Sequence, residues 1–409
     1  MISAFVRWLG QVLRRQMRPR LAPTACVLLL LLPVGLLAEE PAVEARKFVS
    51  VIRAEDVRPH IEHLASDQFK GRSGEDALAA ADYLRTHFKQ LGLKPLFGES
   101  YYQNIPGPKT KANEPTIYGR NVGAWLPGSD ETLKDEFVIV SAHYDHLGTR
   151  GDRIFRGADD NASGTSMLME VARQYSQLKE PPKRSLVFLG FDLEENALWG
   201  SRWFVAHAPW PLEKVKLFTT ADMIGRSLGN LPLKTVFVMG DEHGRGLSDV
   251  LDSIGEPQGL SISRFGIDLV GTRSDYGPFR DRKVPFLFFS SGEHPDYHTP
   301  DDVPERIDFA QVAAVSGLVL KITQQVANAD QTPTWTDEVV PRLEEVAAIN
   351  RICKLLLAAE SEKPLTGLQR LIVEQAEAKT RQILANGKVT PQERTGLIRT
   401  AQLLLFSVF

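Results

Sequence analysis

The sequence predicts an α/β fold: a central mixed, mostly parallel sheet flanked by helices on both faces, followed by an all-helical C-terminal appendage. Three observations carry this expectation. Apolar runs of strand length occur at 137–142, 186–191, 216–221, 235–239 and 285–290. Helical patterns lie near 162–178, 197–207, 243–254 and 307–328. Apolar strands alternating with helices make a buried sheet covered on both sides. From residue 331 onward the pattern changes to three helices and no strand.

The chain begins with a segment of different character. Residues 1–38 hold Arg7, Arg14, Arg15, Arg18 and Arg20, no acid, and an apolar run from Ala25 to Leu37. A basic flank, a short apolar run and a small residue before Glu39-Glu40 read as a secretory signal. The run is shorter than the ~20 residues that span a bilayer. An uncleaved membrane anchor is the alternative, and Met17 is an alternative start. Residues 39–54 read as a linker. Two helices follow, one with Val57, Ile61 and Leu64 on its apolar face. The other carries Leu78, Ala81, Leu84, Phe88 and Leu91, with Gly92 as its C-cap.

Residues 55–330 then form the main domain and 331–409 the helical region. Leu343, Val346, Ile349, Ile352 and Leu356 mark the first of its helices. Leu368, Leu371, Ile372 and Ile383 mark the second. Thr390-Pro391-Gln392-Glu393 is a capping box that opens the third. These helices read either as an appendage packed on the main domain or as a contact surface for a partner or second copy.

Composition excludes several classes. With 43% hydrophobic and 24% charged residues the chain is neither disordered nor a coiled coil. The net charge is −3, from 48 basic and 51 acidic residues. Without residues 1–38 it becomes 43 against 51, near −8, which argues against nucleic acid as a partner. Of two cysteines, only Cys353 lies beyond the signal. An exported chain would then have no intrachain disulfide, and a metal site would need imidazole and carboxylate ligands.

Such residues follow the strands. His143-Tyr144-Asp145-His146 follows 137–142, Glu194-Glu195 follows 186–191, Asp222 follows 216–221, and His298 lies beyond 285–290. Asp159-Asp160, in the string GADDNASG, opens a helix. Ligands in open α/β sheets bind outside the carboxyl ends of the strands. Carboxylates gathered there repel one another and are costly to desolvate. A divalent metal pair would neutralise them, and nitrogen and oxygen ligands suit zinc, with cobalt or manganese as substitutes.

The strings SAHYDHLG (141–148), GADDNASG (157–164), EENALWGS (194–201), ADMIG (221–225) and DYHTPDD (296–302) resemble the M28 zinc peptidases, di-zinc aminopeptidases and their relatives. The resemblance covers roughly 55–328 and implies a zinc-exopeptidase fold. It implies His143 and Asp222 on a first zinc, Glu195 and His298 on a second, and Asp160 bridging the two. It implies Asp145 as the carboxylate that orients His143 and Glu194 as the general base. Tyr297 sits where some members place a phenol that steadies an oxyanion. The implied activity is that of an exported aminopeptidase acting on peptides. Within the same fold, a carboxypeptidase or glutaminyl cyclase is the alternative, and outside catalysis a binding protein on a peptidase scaffold.

Other residues read as structural. Tyr276 stands where many members carry histidine, which alters an expected pocket contact. Asp159, His146 and His294 read as supporting groups, and His60, His63, His87, His207 and His243 have no motif around them. Gly225-Arg226-Ser227-Leu228-Gly229 fits a nucleophile elbow, but a helix does not follow it, so Ser227 is no nucleophile. The short 100–136 segment leaves no room for the protease-associated insertion of many members.

Overall fold

A computed structural model describes residues 51–107, 116–361 and 364–408. Residues 1–50, on which the expected signal and most of the expected linker fall, lie outside the described residues. Nine strands build one sheet: β1 (Lys94–Pro95), β2 (Tyr102–Pro106), β3 (Ile117–Leu126), β4 (Phe137–His143), β5 (Ser185–Phe191), β6 (Val215–Ala221), β7 (Thr235–Met239), β8 (Ser261–Phe265) and β9 (Phe286–Ser290). Their order is β1-β3-β5-β4-β6-β9-β7-β8, with β2 also paired to β3. The four neighbours β5, β4, β6 and β9 are parallel, so their carboxyl ends share one edge. Antiparallel pairing appears at β3–β5 and β7–β9.

Side chains alternate across this sheet with the two-residue period of a strand. Val138 and Val140 face one way and Ile139 the other, into separate apolar clusters. The first cluster packs under helices α1 (Ala54–Leu64), α2 (Glu75–Gln90), α3 (Gly164–Ser176), α5 (Leu247–Ile254) and α7 (Phe309–Asn328). The second packs under α4 (Trp199–Ala206), the short α6 (Tyr276–Arg280), α8 (Leu343–Ala358), α9 (Gly367–Asn386) and α10 (Pro391–Val408). The helices after residue 331 therefore share a core with the sheet, placing Val346, Ile349 and Leu356 beside Phe237 and Phe265.

The region after residue 331 is not wholly helical, because Thr334–Trp335 forms a short strand antiparallel to Gly244–Arg245. Two further differences from the sequence reading have physical causes. The expected strands are all present, but β1, β2, β3 and β8 had no apolar run to mark them. In β3 the interruptions are Gly119 and Gly123. A Cβ on Gly119 would lie 2.7 Å from the Leu193 side chain, and one on Gly123 would lie 2.6 Å from Leu96. Neighbours approach too closely there for an apolar side chain. In α9, Leu368 and Leu371 are 68% and 50% exposed, and the helix instead buries Val373, Ala376, Thr380 and Ile383. Small residues let α9 sit close to α8, where Asn350 Nδ2 donates to Thr380 Oγ1 at 2.9 Å. The capping box of α10 forms, with Glu393 N donating to Thr390 Oγ1 at 3.2 Å and Thr390 N to Glu393 Oε2 at 3.1 Å. Among the described residues, no helix is long and apolar enough to cross a membrane.

Candidate metal centre

The acidic and histidine-bearing segments leave the carboxyl ends of the four central parallel strands. His143 is the last residue of β4, Glu194-Glu195 follow β5, Asp222 follows β6, and His298 lies in the loop after β9. Asp160 sits in the turn that leads into α3, after the left-handed Gly157 (φ 57°).

Asp160 lies between two groups. Its Oδ1 is 3.4 Å from His143 Nε2, which is itself 3.3 Å from Asp222 Oδ1. Its Oδ2 is 3.2 Å from His298 Nε2, which is 3.2 Å from Glu195 Oε2. His146 Nδ1 is 2.9 Å from Glu195 Oε1 and 3.7 Å from Asp160 Oδ2. Ligand atoms of His143, Asp160 and Asp222 lie within 4.8 Å of one another, and so do those of His146, Asp160 and Glu195. His143 Nε2, His146 Nδ1, Glu195 Oε1 and Asp222 Oδ1 are buried, and the polar atoms nearest to them belong to the cluster itself. Buried polar atoms are ordinarily paired. Donor atoms of two imidazoles and two carboxylates, converging around a shared aspartate, fit divalent metal ions.

Electrostatics agree with that fit. Burial, reinforced by the nearby Glu195 charge, pushes Asp160 up to about 8. Burial also drives Glu194 well above the usual carboxylate range, with Asp222 and Asp275 adding to it against the opposing pull of His143. Burial alone would lower His298, but its bonds to Asp160 and Glu195 raise it to about 10. His143 likewise is raised despite burial, by Asp222 and Glu194. Positive charge is in demand here, and the imidazoles supply some of it.

The surrounding residues fix the ligands. Asp145 Oδ1 is 3.5 Å from His143 Nδ1, and its carboxylate accepts from Glu194 N at 3.1 Å and Glu195 N at 3.3 Å. One carboxylate thus orients both the imidazole and the glutamate pair. Asp302 accepts from Asp159 N and Asp160 N at 2.9 and 3.0 Å. Asp159 turns away, accepting from Gly225 N at 2.6 Å, with His294 Nε2 3.4 Å from its other oxygen. Tyr297 stacks on the His298 ring with centroids 3.8 Å apart. With Glu194, Asp160 and Asp222 it lines a cavity beside the cluster.

All eight residues singled out from the sequence meet around this cluster or cavity: His143, Asp145, Asp160, Glu194, Glu195, Asp222, Tyr297 and His298. Three further residues matter. His146 read as a supporting group, yet its ring nitrogen lies within the cluster beside Asp160 and Glu195; its place in SAHYDHLG was the available signal. Asp302 holds the Asp160 turn from 142 residues away. Asp275 is fully buried, pushed up to about 7 chiefly by burial. Tyr276 is core: its hydroxyl donates to Gly271 O at 2.7 Å and its ring stacks on Phe286. Ser227 donates to Leu231 O at 2.8 Å in its own turn, in keeping with a structural role.

Residues 121–323 match the family model of peptidase family M28. Aminopeptidase YwaD of Bacillus subtilis is 26% identical over 209 residues, 48% of this chain and 43% of that protein. A glutaminyl-peptide cyclotransferase of Boiga dendrophila is 26% identical over 244 residues, 50% of this chain and 66% of that protein. The chain thus spans less than half of the Bacillus relative. Among solved structures, the LapA aminopeptidase of Legionella pneumophila superposes with a TM-score of 0.53 at 22% identity, covering 68% of this chain and 73% of that one. An aminopeptidase from Aneurinibacillus sp. strain AM-1 gives 0.53 at 16% identity, covering 71% and 98%. These two share the fold. Over residues 121–323 the chain belongs to peptidase family M28.

Proposed function

We propose that this chain is an exported di-zinc exopeptidase that removes N-terminal residues from peptides. The observation that carries the reading is the position of Asp160, one oxygen toward His143 and Asp222 and the other toward His298 and Glu195. In this reading His143 and Asp222 would hold one zinc and Glu195 and His298 the other, with Asp160 shared between the two groups. Such metals would supply charge neutralisation of the carboxylates and polarisation of the peptide carbonyl. Glu194 takes a proton from the attacking water and delivers it to the nitrogen of the breaking C–N bond. Asp145 keeps Glu194 and His143 in register, and the Tyr297 hydroxyl donates to the oxyanion of the tetrahedral intermediate. Export rests on the character of residues 1–38, and the domain limits 1–38, 39–54, 55–330 and 331–409 belong to the same proposal.

The test has three parts. Metal content of the purified chain should be two per chain, with activity lost to chelator. Hydrolysis of a peptide with a free N-terminus, and none of its acetylated form, distinguishes an aminopeptidase from a carboxypeptidase. Glu194→Gln should retain both metals and lower kcat by about 10²–10⁴-fold; near-wild-type turnover refutes the assignment. One metal per chain with cyclisation of N-terminal glutamine would favour a cyclase, the activity in the name of the Boiga relative.

A further inference from the structure

The cavity beside the cluster does not end at the sheet. It is lined at one end by Asp160, Glu194 and Asp222 and at the other by side chains of α8 and α10. Its volume is about 200 Å³, more than the ~150 Å³ that admits a benzene ring. Phe237, Phe265 and Phe288 form its sheet side, and Ile352, Leu356 and Leu405 its helix side. The charged lining residues are Asp160, Glu194 and Asp222 of the cluster and the exposed Arg273 and half-buried Glu293, which pair at 3.2 Å.

The helix side is fixed in place. Arg394 of α10 donates to Glu345 of α8 at 2.6 Å and to Asp268 at 2.8 Å. Arg351 of α8 donates to Ser261 of the edge strand β8 at 3.1 Å. Residues 343–408 lie beyond the segment that matches the family, 121–323.

We infer that α8 and α10 form the far wall of the substrate chamber and select a large apolar side chain beside the scissile bond. The inference rests on the peptidase reading and adds a specificity role for the C-terminal helices. A polar side chain reaching this far would be left without partners, whereas a leucine or phenylalanine would trade water for apolar contact. Ala401 of α10 and Ile352 of α8 are partly buried lining residues whose enlargement fills the chamber from two different helices.

The experiment compares kcat/KM for leucine and alanine 4-nitroanilides, using the metal-loaded full chain and its Ala401→Phe and Ile352→Trp variants. The wild type should prefer leucine by about tenfold or more. Each variant that keeps the wild-type thermal midpoint should lower the leucine-to-alanine ratio at least tenfold. A merely structural effect would lower both substrates in proportion and leave the ratio unchanged, which overturns the inference; so does a wild type that favours alanine. Turnover of both substrates with an unmoved ratio refutes the wall alone. A metal-loaded wild type that cleaves neither refutes the peptidase reading and the wall with it. Two variants on separate helices keep the test decisive when one fails to fold.

Discussion

Replacing Arg72 by methionine should cost about 4 kcal/mol of stability and loosen the metal centre at the same time. Arg72 is fully buried between α1 and the Asp160 turn. Its guanidinium donates to the carbonyls of Tyr144 (2.7 Å), Leu64 (2.8 Å), Arg156 (2.5 Å) and Gly157 (2.8 Å). Burial lowers its pKa to about 10, against the pull of Asp160, Asp302, Asp145 and Glu195, so the group stays charged at neutral pH. Methionine keeps much of the stem and removes the fork. Four carbonyls lose this donor; Gly157 O keeps Ala162 N at 3.2 Å, and the other three cost ~1–3 kcal/mol each when left buried without a partner. Values a little above the lower end give ~4 kcal/mol, a large part of the roughly 5–15 kcal/mol that holds a protein folded. Urea unfolding followed by circular dichroism reads the stability, and zinc titration against a competing chelator reads the site. Zinc affinity should fall tenfold or more, because the same guanidinium holds the turn from Gly157 to Asp160. Arg72→Lys, which offers a compact ammonium instead of a fork, should fall between. A loss below 1 kcal/mol with unchanged zinc affinity would refute the reasoning.

Two other perturbations probe different parts. Gly157→Ala places a Cβ 2.1 Å from Asp160 O and 2.6 Å from the His146 ring, at a φ of 57°. The turn must move, so zinc affinity should drop at least tenfold in a chain that still folds; wild-type affinity in the same titration contradicts this. Burial, with a contribution from His60, lowers His87 to about 4. The unfolded chain therefore takes up this proton first, near pH 6.5, and stability falls as pH drops from there toward 4. The total is ~3 kcal/mol, and His87→Gln should flatten the dependence of the urea midpoint between pH 4.5 and 7. An unaltered slope would assign the effect elsewhere.

The central strands were legible because β4 and β5 are buried at every position, which writes an unbroken apolar run. The ligand segments were legible for a related reason: each follows such a run, and the carboxyl ends of parallel neighbours converge. What holds the ligands was not legible. Arg72 and Asp302 act on the Asp160 turn through backbone groups, and no spacing in sequence encodes which carbonyl or amide a distant side chain will reach. The C-terminal helices failed differently. Leu368 and Leu371 satisfy helical periodicity, yet packing on α8 selects the face with Ala376 and Thr380, where the backbones come close. Nor does periodicity reveal that Ile352 and Leu405 face a cavity shared with Glu194.

The donors of the metal centre are dispersed along the chain, from His143 to His298, on segments that meet only when β5, β4, β6 and β9 lie side by side. Since β5 inserts between β3 and β4, no consecutive stretch of polypeptide can preassemble the set. Loop closure over such separations is slow and its entropy must be met before the contacts repay it. Metal uptake would thereby be tied to completion of the sheet. A chain still threading its way to the native topology offers isolated imidazoles and carboxylates, weak traps for an ion, and the ion's capture would become a timestamp on the moment the last central strand docks.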